Sequence, residues 1–264
     1  MRASDAVREV VWPATFTAAM AYLAWYLPKF FILTGIAAEA MSLRFSPAGI
    51  VDFAVAALAL AALVMGVATI RPAPQEGQAT GLFDRLSLFL GRVTMLLIVT
   101  LVCVMTYEVV LRYVFERPTL WANELSLWMA GLIFLLAGLY AMQQRSHIRI
   151  YLLYDLLPRG VQRACDSVST LLIMVFAAMM IWGGFTEAYD KLLRWETFGT
   201  AFDPPIPATL KPLILLVIVM VAVQALINLV SDWHKGPEHH AVIDEAEVED
   251  MVHELGERLK SGRG

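Results

Sequence analysis

Residues 125–142 read LSLWMAGLIFLLAGLYAM, an uncharged run with Glu124 before it and Arg145 after it. A helix rises about 1.5 Å per residue and a bilayer core is about 30 Å thick, so roughly 20 such residues cross it. The run is too long for a buried strand, and neither face is polar enough for a helix lying on water. Toward the C-terminus, Ser167–Thr186 and Pro212–Ser231 are equally free of charge. Toward the N-terminus, Leu88–Leu111 carries only Arg92 and Glu108, each near one end. Phe53–Ile70 is an Ala/Leu/Val run with Asp52 at its mouth, and Val10–Pro28 is bounded by Pro13, Pro28 and Lys29. These runs predict an all-α membrane protein, a bundle of about six transmembrane helices.

The composition agrees. Of 264 residues, 59% are hydrophobic and 17% charged, against about 45–50% and about 25% in an ordinary soluble domain. The net charge of −4 is unevenly spread: residues 231–264 hold nine acids and four bases, a net of −5, which leaves +1 for the rest. Such a chain offers no basic surface for nucleic acid. Cys103 and Cys165 read as small buried hydrophobes rather than as a disulfide framework. The first apolar run exceeds the usual length of a signal-peptide core and no small-residue cleavage site follows it, so it is expected to stay as an anchor helix.

Lys and Arg in short loops set orientation. Arg145, Arg149, Arg159 and Arg163 crowd one loop with His147, marking it as cytoplasmic. Counting by parity gives 13 basic residues inside against seven outside, and an N-in/C-in topology. Two further segments read as non-spanning. Ser146–Leu157 is an amphipathic mix suited to the headgroup region. Val248, Val252, Leu255 and Leu259 make a modest apolar stripe on the acidic tail.

The chemistry that the spans omit is informative. None of the five histidines lies inside a span, so paired helix ligands for a membrane haem are not supplied. There is no P-loop and no HExxH. No cofactor and no metal site are expected. Smooth helices whose charges sit at their ends are a poor design for a midplane substrate site. The chain therefore reads as a non-catalytic partner of a transporter or, alternatively, as a scaffold or anchor subunit of an unrelated inner-membrane complex.

One region carries a likeness to a known family. Arg112-Tyr113-Val114-Phe115, then Pro118-Thr119-Leu120-Trp121-Ala122-Asn123-Glu124, then Arg145-Ser146-His147-Ile148-Arg149-Ile150 resemble the small DctQ-type membrane subunit of TRAP (tripartite ATP-independent periplasmic) transporters. Tyr151 stands where an Asp is common in that family. The resemblance covers roughly residues 82–232. It implies a four-helix core at 81–232, an N-terminal extension at 1–80 with two helices and a linker, and an acidic cytoplasmic tail at 233–264. It also implies a bacterial inner-membrane importer of an organic acid anion, coupled to sodium. The partners would be a large DctM-type subunit that holds the substrate site, a periplasmic substrate-binding protein, and membrane lipids.

Candidate interface residues follow from position. Pro118 suits a short turn before a helix, and Trp121 suits headgroup depth. Glu124, in a first helical turn, either favours the positive helix end, pairs with Arg112 or Arg117, or meets a partner subunit. Glu108 is deep enough that it should face protein, with Arg112 four residues on as its natural counterion. Arg145, His147 and Arg149 suit anionic lipid heads or a partner's acids. Gly183 and Gly184, beside Trp182, would allow close helix approach. Asp203, followed by two prolines, stiffens a loop that could contact the binding protein.

Overall fold

A computed structural model of the chain describes residues 7–36, 39–74, 76–77, 79, 81–145 and 157–233. His147, Arg149, the amphipathic segment up to residue 156 and the acidic tail beyond Trp233 lie outside the described residues. Every regular element described is helical. A π-helical turn at Val7–Val11 leads into α1 (Trp12–Tyr26), followed by the short α2 (Pro28–Leu33) and α3 (Glu39–Ser42). The long helices are α4 (Ile50–Thr69), α5 (Leu82–Tyr113), α6 (Ala122–Gln143), α7 (Arg159–Leu193) and α8 (Ile206–Asp232). The five from α4 to α8 are long and apolar enough to cross a membrane. This is a multi-pass membrane protein.

The first expected span takes a different form. Pro28 has no N–H to give to the preceding turn, so α1 stops at Tyr26 after 15 residues, short of a bilayer core on its own. Val11 (φ −65°, ψ −50°) and Leu27 (φ −51°, ψ −35°) nevertheless keep helical dihedrals, so one helical path runs from Val7 to Leu33. α4 and α6 nearly coincide with their apolar runs, whereas α5 and α8 outrun theirs at the N-terminal end and α7 at both ends. The charged turns at Arg159–Asp166 and Glu187–Leu193 belong to the same 35-residue α7 as the uncharged run between them.

Two helices start by the same local device. Asp52 lies three residues after Gly49 and accepts its N–H at 2.8 Å; Asp84 stands in the same relation to Gly81 at 3.0 Å. The carboxylates satisfy an amide that the first turn leaves unpaired and sit at the positive end of the helix.

The helices pack in sequence across the bundle. α7 lies on α8, α8 on α6, and α6 on α5; α5 then meets α1 and α4, which also pack on each other. Contact between α4 and α5 depends on Gly66: a Cβ there would lie 2.1 Å from the Phe89 ring. Gly91 does the same for α5 and α6, since a Cβ would come within 2.5 Å of the Tyr140 ring. Between lipid-solvated helices, packing of this kind drives association because lipid tails are as apolar as the helices themselves. Around the first contact, Leu88, Phe89, Val93, Val67 and Ile70 form a buried cluster, with Phe16 edge-on to Phe89 at 5.5 Å.

Candidate functional site

Polar groups gather at the two ends of this bundle. At one end, Arg92 of α5 organises three segments. Its Nη1 and Nη2 donate to the two carboxylate oxygens of Glu76 at 2.6 and 2.7 Å, and its Nε donates to Glu9 at 2.6 Å. The fork geometry of guanidinium on carboxylate makes this a strong, directional pair. Glu76 also accepts from the Tyr140 hydroxyl and the Ala73 amide, both at 2.7 Å. Burial pushes its carboxyl up, but the Arg92, Ala73 and Tyr140 donors outweigh burial and hold it below the ordinary carboxylate value. The α4–α5 linker is thereby tied down onto α5 and α6, and the residues before α1 onto α5. The Gly77 amide adds a bond to Gln144 at 2.8 Å.

Next to this cluster, α8 joins the same end. Gln224, fully buried, donates its amide to Asp84 at 2.9 Å and to Asn228 at 3.0 Å, and accepts from Ser87 at 3.3 Å. Asn228 then donates to the Met142 carbonyl at 2.7 Å. Arg145, in the left-handed region at φ 54°, makes a bidentate pair with Asp232 at 2.6 and 2.8 Å. Arg159 donates to the Asp232 carbonyl at 2.6 Å, and the Arg163 guanidinium lies 5.7 Å from the centre of the Trp233 ring.

The opposite end is built differently. Glu108 is 2% exposed and accepts from Arg112 at 2.6 and 3.1 Å. Its other oxygen takes the Thr119 amide at 3.0 Å and the Thr119 hydroxyl, so one carboxylate closes the whole α5–α6 turn. Pro118 is the exposed residue just before Thr119, and Trp121 stacks on Tyr107 with centroids 6.1 Å apart. Aromatic rings then cross between elements: Trp25 of α1 lies 5.9 Å from Trp128 of α6 and 5.4 Å from Phe202 in the α7–α8 loop. Trp128 donates its indole N–H to Thr209 of α8 at 2.9 Å. Lys29 and Tyr22 both donate to Asp52, at 3.0 and 2.8 Å, joining α1 and α2 to the mouth of α4.

The other candidate residues take up contacts within the chain or stand on its surface. Glu124 accepts from Thr200 of the α7–α8 loop at 2.5 Å, in place of Arg112, which is held by Glu108. Asp203, at φ 55°, accepts from the Gly199 amide at 2.7 Å and so shapes the loop that brings Thr200 and Phe202 to α6 and α1. Arg145 is engaged by Asp232 within the chain. The two glycines of α7 part company: Gly184 faces α8, where a Cβ would sit 3.2 Å from Leu215, while Gly183 has nothing within 4 Å. Trp182 is 91% exposed on the outer face of α7. The structure thus brings Glu108 and Arg112 together beside Pro118 and Trp121. Glu124 joins the Asp203 loop, and Arg145 stands at the far end.

Sequence reasoning passed over Glu76, Asp84, Tyr140, Gln224 and Asn228. Gln224 and Asn228 had a signal, two amides four residues apart in a run read only as uncharged; polar side chains at that depth call for partners. The Gly-x-x-Asp pattern at 49–52 and 81–84 was another. Glu76 had none, because a glutamate in a loop declares nothing about a guanidinium sixteen residues on.

The fold and its polar ends define an integral membrane component whose described buried carboxylates are bonded within the chain at both edges. Residues 101–235, half of the chain, match the family described as "Tripartite ATP-independent periplasmic transporters, DctQ component". The chain belongs to this family and is a TRAP transporter small permease subunit. The matched stretch begins within α5 and takes in α6, α7 and α8, so α1 to α4 lie outside it. No curated protein matches the chain.

Proposed function

We propose that this chain is the non-catalytic support of a sodium-coupled importer of an organic acid anion in a bacterial inner membrane. It braces the large DctM-type subunit, and its Glu108 end helps to dock the periplasmic substrate-binding protein. The N-in/C-in topology puts the Arg92 end in the cytoplasm. Residues 1–80 act as an extension wrapped on a 81–232 core, with 233–264 as a cytoplasmic tail.

The observation that supports this reading is where the described buried charges are spent. Arg92, Glu76, Asp84 and Glu108 each bond within the chain, at the ends of the bundle. Groups committed in this way brace a structure, and coupling ions and substrate are then left to another subunit. Glu124 and the Asp203 loop are the edge anchors offered to partners.

The test is uptake in whole cells. Deleting the chain should abolish sodium-dependent uptake of the anion, and Glu124→Ala should lower uptake while the chain stays in the membrane. Affinity purification in mild detergent should recover a large polytopic subunit near stoichiometry and a periplasmic binding protein in smaller amount. Unchanged uptake after deletion, or purification with an unrelated complex, overturns the proposal.

A further inference from the structure

Two helices of this chain end in the same turn with different residues at its tightest position. After α2, Gly35 is left-handed (φ 72°) with open space around it; its amide reaches the Ile32 carbonyl and the Ile36 amide the Phe31 carbonyl, both at 3.1 Å. After α7, Trp195 stands in that place (φ 48°), its amide on the Leu192 carbonyl at 3.2 Å and the Glu196 amide on the Lys191 carbonyl at 3.1 Å. Glycine is the usual residue there because it has no Cβ to crowd, and a bulky one persists only where its surroundings hold it. The surroundings of Trp195 come from the other end of the chain. Trp195 and Met41 of α3 are 6% and 3% exposed and cluster with Ala208 of α8, and Leu27, Phe31, Ile32 and Phe45 pack against them. We propose that the end of α1, α2 and α3 are a template for the α7–α8 loop, with Met41 and Trp195 as the positioning residues.

A turn that set its own shape would be served by glycine at 195, as it is at 35. Burying an indole against Met41 instead hands the choice of turn to the packing, because an aromatic side chain carries a large apolar area. Beyond Trp195 the loop turns left-handed twice more, at Gly199 and Asp203. It is joined to itself by the Phe198 amide on the Pro204 carbonyl at 3.0 Å, and to α8 by the Ala208 amide on the Glu196 carbonyl at 3.3 Å. At its far side Phe202 meets Trp25, at the end of α1, at 5.4 Å. Both flanks of the loop therefore rest on elements that lie outside the DctQ match, and Arg194, Phe198 and Thr200 remain exposed. The templating is independent of transport; that the templated loop meets the periplasmic binding protein rests on the function proposed above.

The test uses the full chain in detergent, with amide hydrogen exchange read by mass spectrometry. Met41→Ala should speed exchange across residues 196–203 by about tenfold or more, since it removes buried packing from the loop's anchor. Met41→Leu should restore the parent rate because it keeps the volume. Trp195→Gly separates a template from a local turn: exchange should rise although glycine suits the backbone better. Parent or slower exchange in Trp195→Gly, parent exchange in Met41→Ala, or equal loosening of the 71–81 linker overturns the proposal. Docking is read on the assembled complex, as the affinity of the substrate-binding protein that co-purifies with it. Met41→Ala should weaken that affinity by about tenfold, the size of one good interface contact, and Met41→Leu should leave it unchanged. A loosened loop that binds as the parent does removes this loop from the docking surface and counts against the function proposed above, while the template stands.

Discussion

The two ends of the bundle hold together by different means. At the Arg92 end the bonds join residues far apart in the chain: Arg92 to Glu9, Tyr140 to Glu76, Arg145 to Asp232, Gln224 to Asp84. Most are charged or amide groups within the helix packing. At the Glu108 end the buried carboxylate serves its own turn, pairing with Arg112 four residues on and Thr119 eleven on. Lys191 and Glu196 also pair locally. Ties between helices there are aromatic faces and single hydroxyls, as in Trp25, Trp128 and Thr209, together with two lysine–carboxylate pairs, Lys29 with Asp52 and Lys211 with Glu187. One end is latched by a guanidinium and amide network across the fold, whereas at the other the buried Glu108 serves its own turn and the helices are joined by rings, hydroxyls and separate lysine–carboxylate pairs.

That contrast can be broken most forcefully at Arg92. Arg92→Ala strands the Glu76 carboxylate, 8% exposed, without its counterion, and removal of one partner from such a pair costs about 3–5 kcal/mol. Unfolding of the purified chain in detergent should report a loss of that order, and protease should cut the 71–81 linker sooner than in the parent. An unchanged linker would mean that the Arg92 end is held by apolar packing alone. Gly66→Ala comes next. Its new methyl would collide with Phe89, and overpacking of this kind costs about 1–3 kcal/mol. Pairing it with Phe89→Leu should recover part of the loss in the same unfolding measurement, as a steric clash requires.

Acid should separate the ends as well. Folding depresses the Glu76 carboxyl below its ordinary 4.5. Its contribution is therefore complete above that value and is lost as pH falls through the lowered one. A pH series should show the 71–81 linker loosening in acid, and Glu76→Gln should flatten that limb. The mildest effects belong to the other end. Glu108→Gln removes the ion pair yet keeps an oxygen for Thr119, so stability should fall less than in Arg92→Ala. Glu124→Gln, which retains an acceptor for the Thr200 hydroxyl, should unfold as the parent does within about 0.5 kcal/mol.

How much was legible follows the same division. Glu108 with Arg112 was readable because helical spacing alone places residues four apart on one face. The five long helices were readable because each is a stretch of apolar chain needing no partner to be recognised. Glu124 was legible only in part: its acceptor role was visible, but Thr200, 76 residues away, came to it only through the loop turn shaped by Asp203 and Gly199. The expected first span shows the same limit, since Pro28 announced an interruption but not the helical continuity through Leu27.

By itself, then, the amino-acid sequence determined the membrane class, the helical runs, the Glu108–Arg112 pair and the family motifs between residues 112 and 150. Hydropathy and helical spacing are properties of neighbouring residues, and these features depend on nothing else. Tertiary structure decided which helix lies beside which, that Gly66 and Gly91 are contact points, and that Arg92 gathers Glu9, Glu76 and, through Glu76, Tyr140. It also set Gln224 and Asn228 against Asp84 and the α6 backbone. Each of these is a pairing across tens of residues, and the partner of a buried polar group is chosen by the packing that brings it within hydrogen-bond reach.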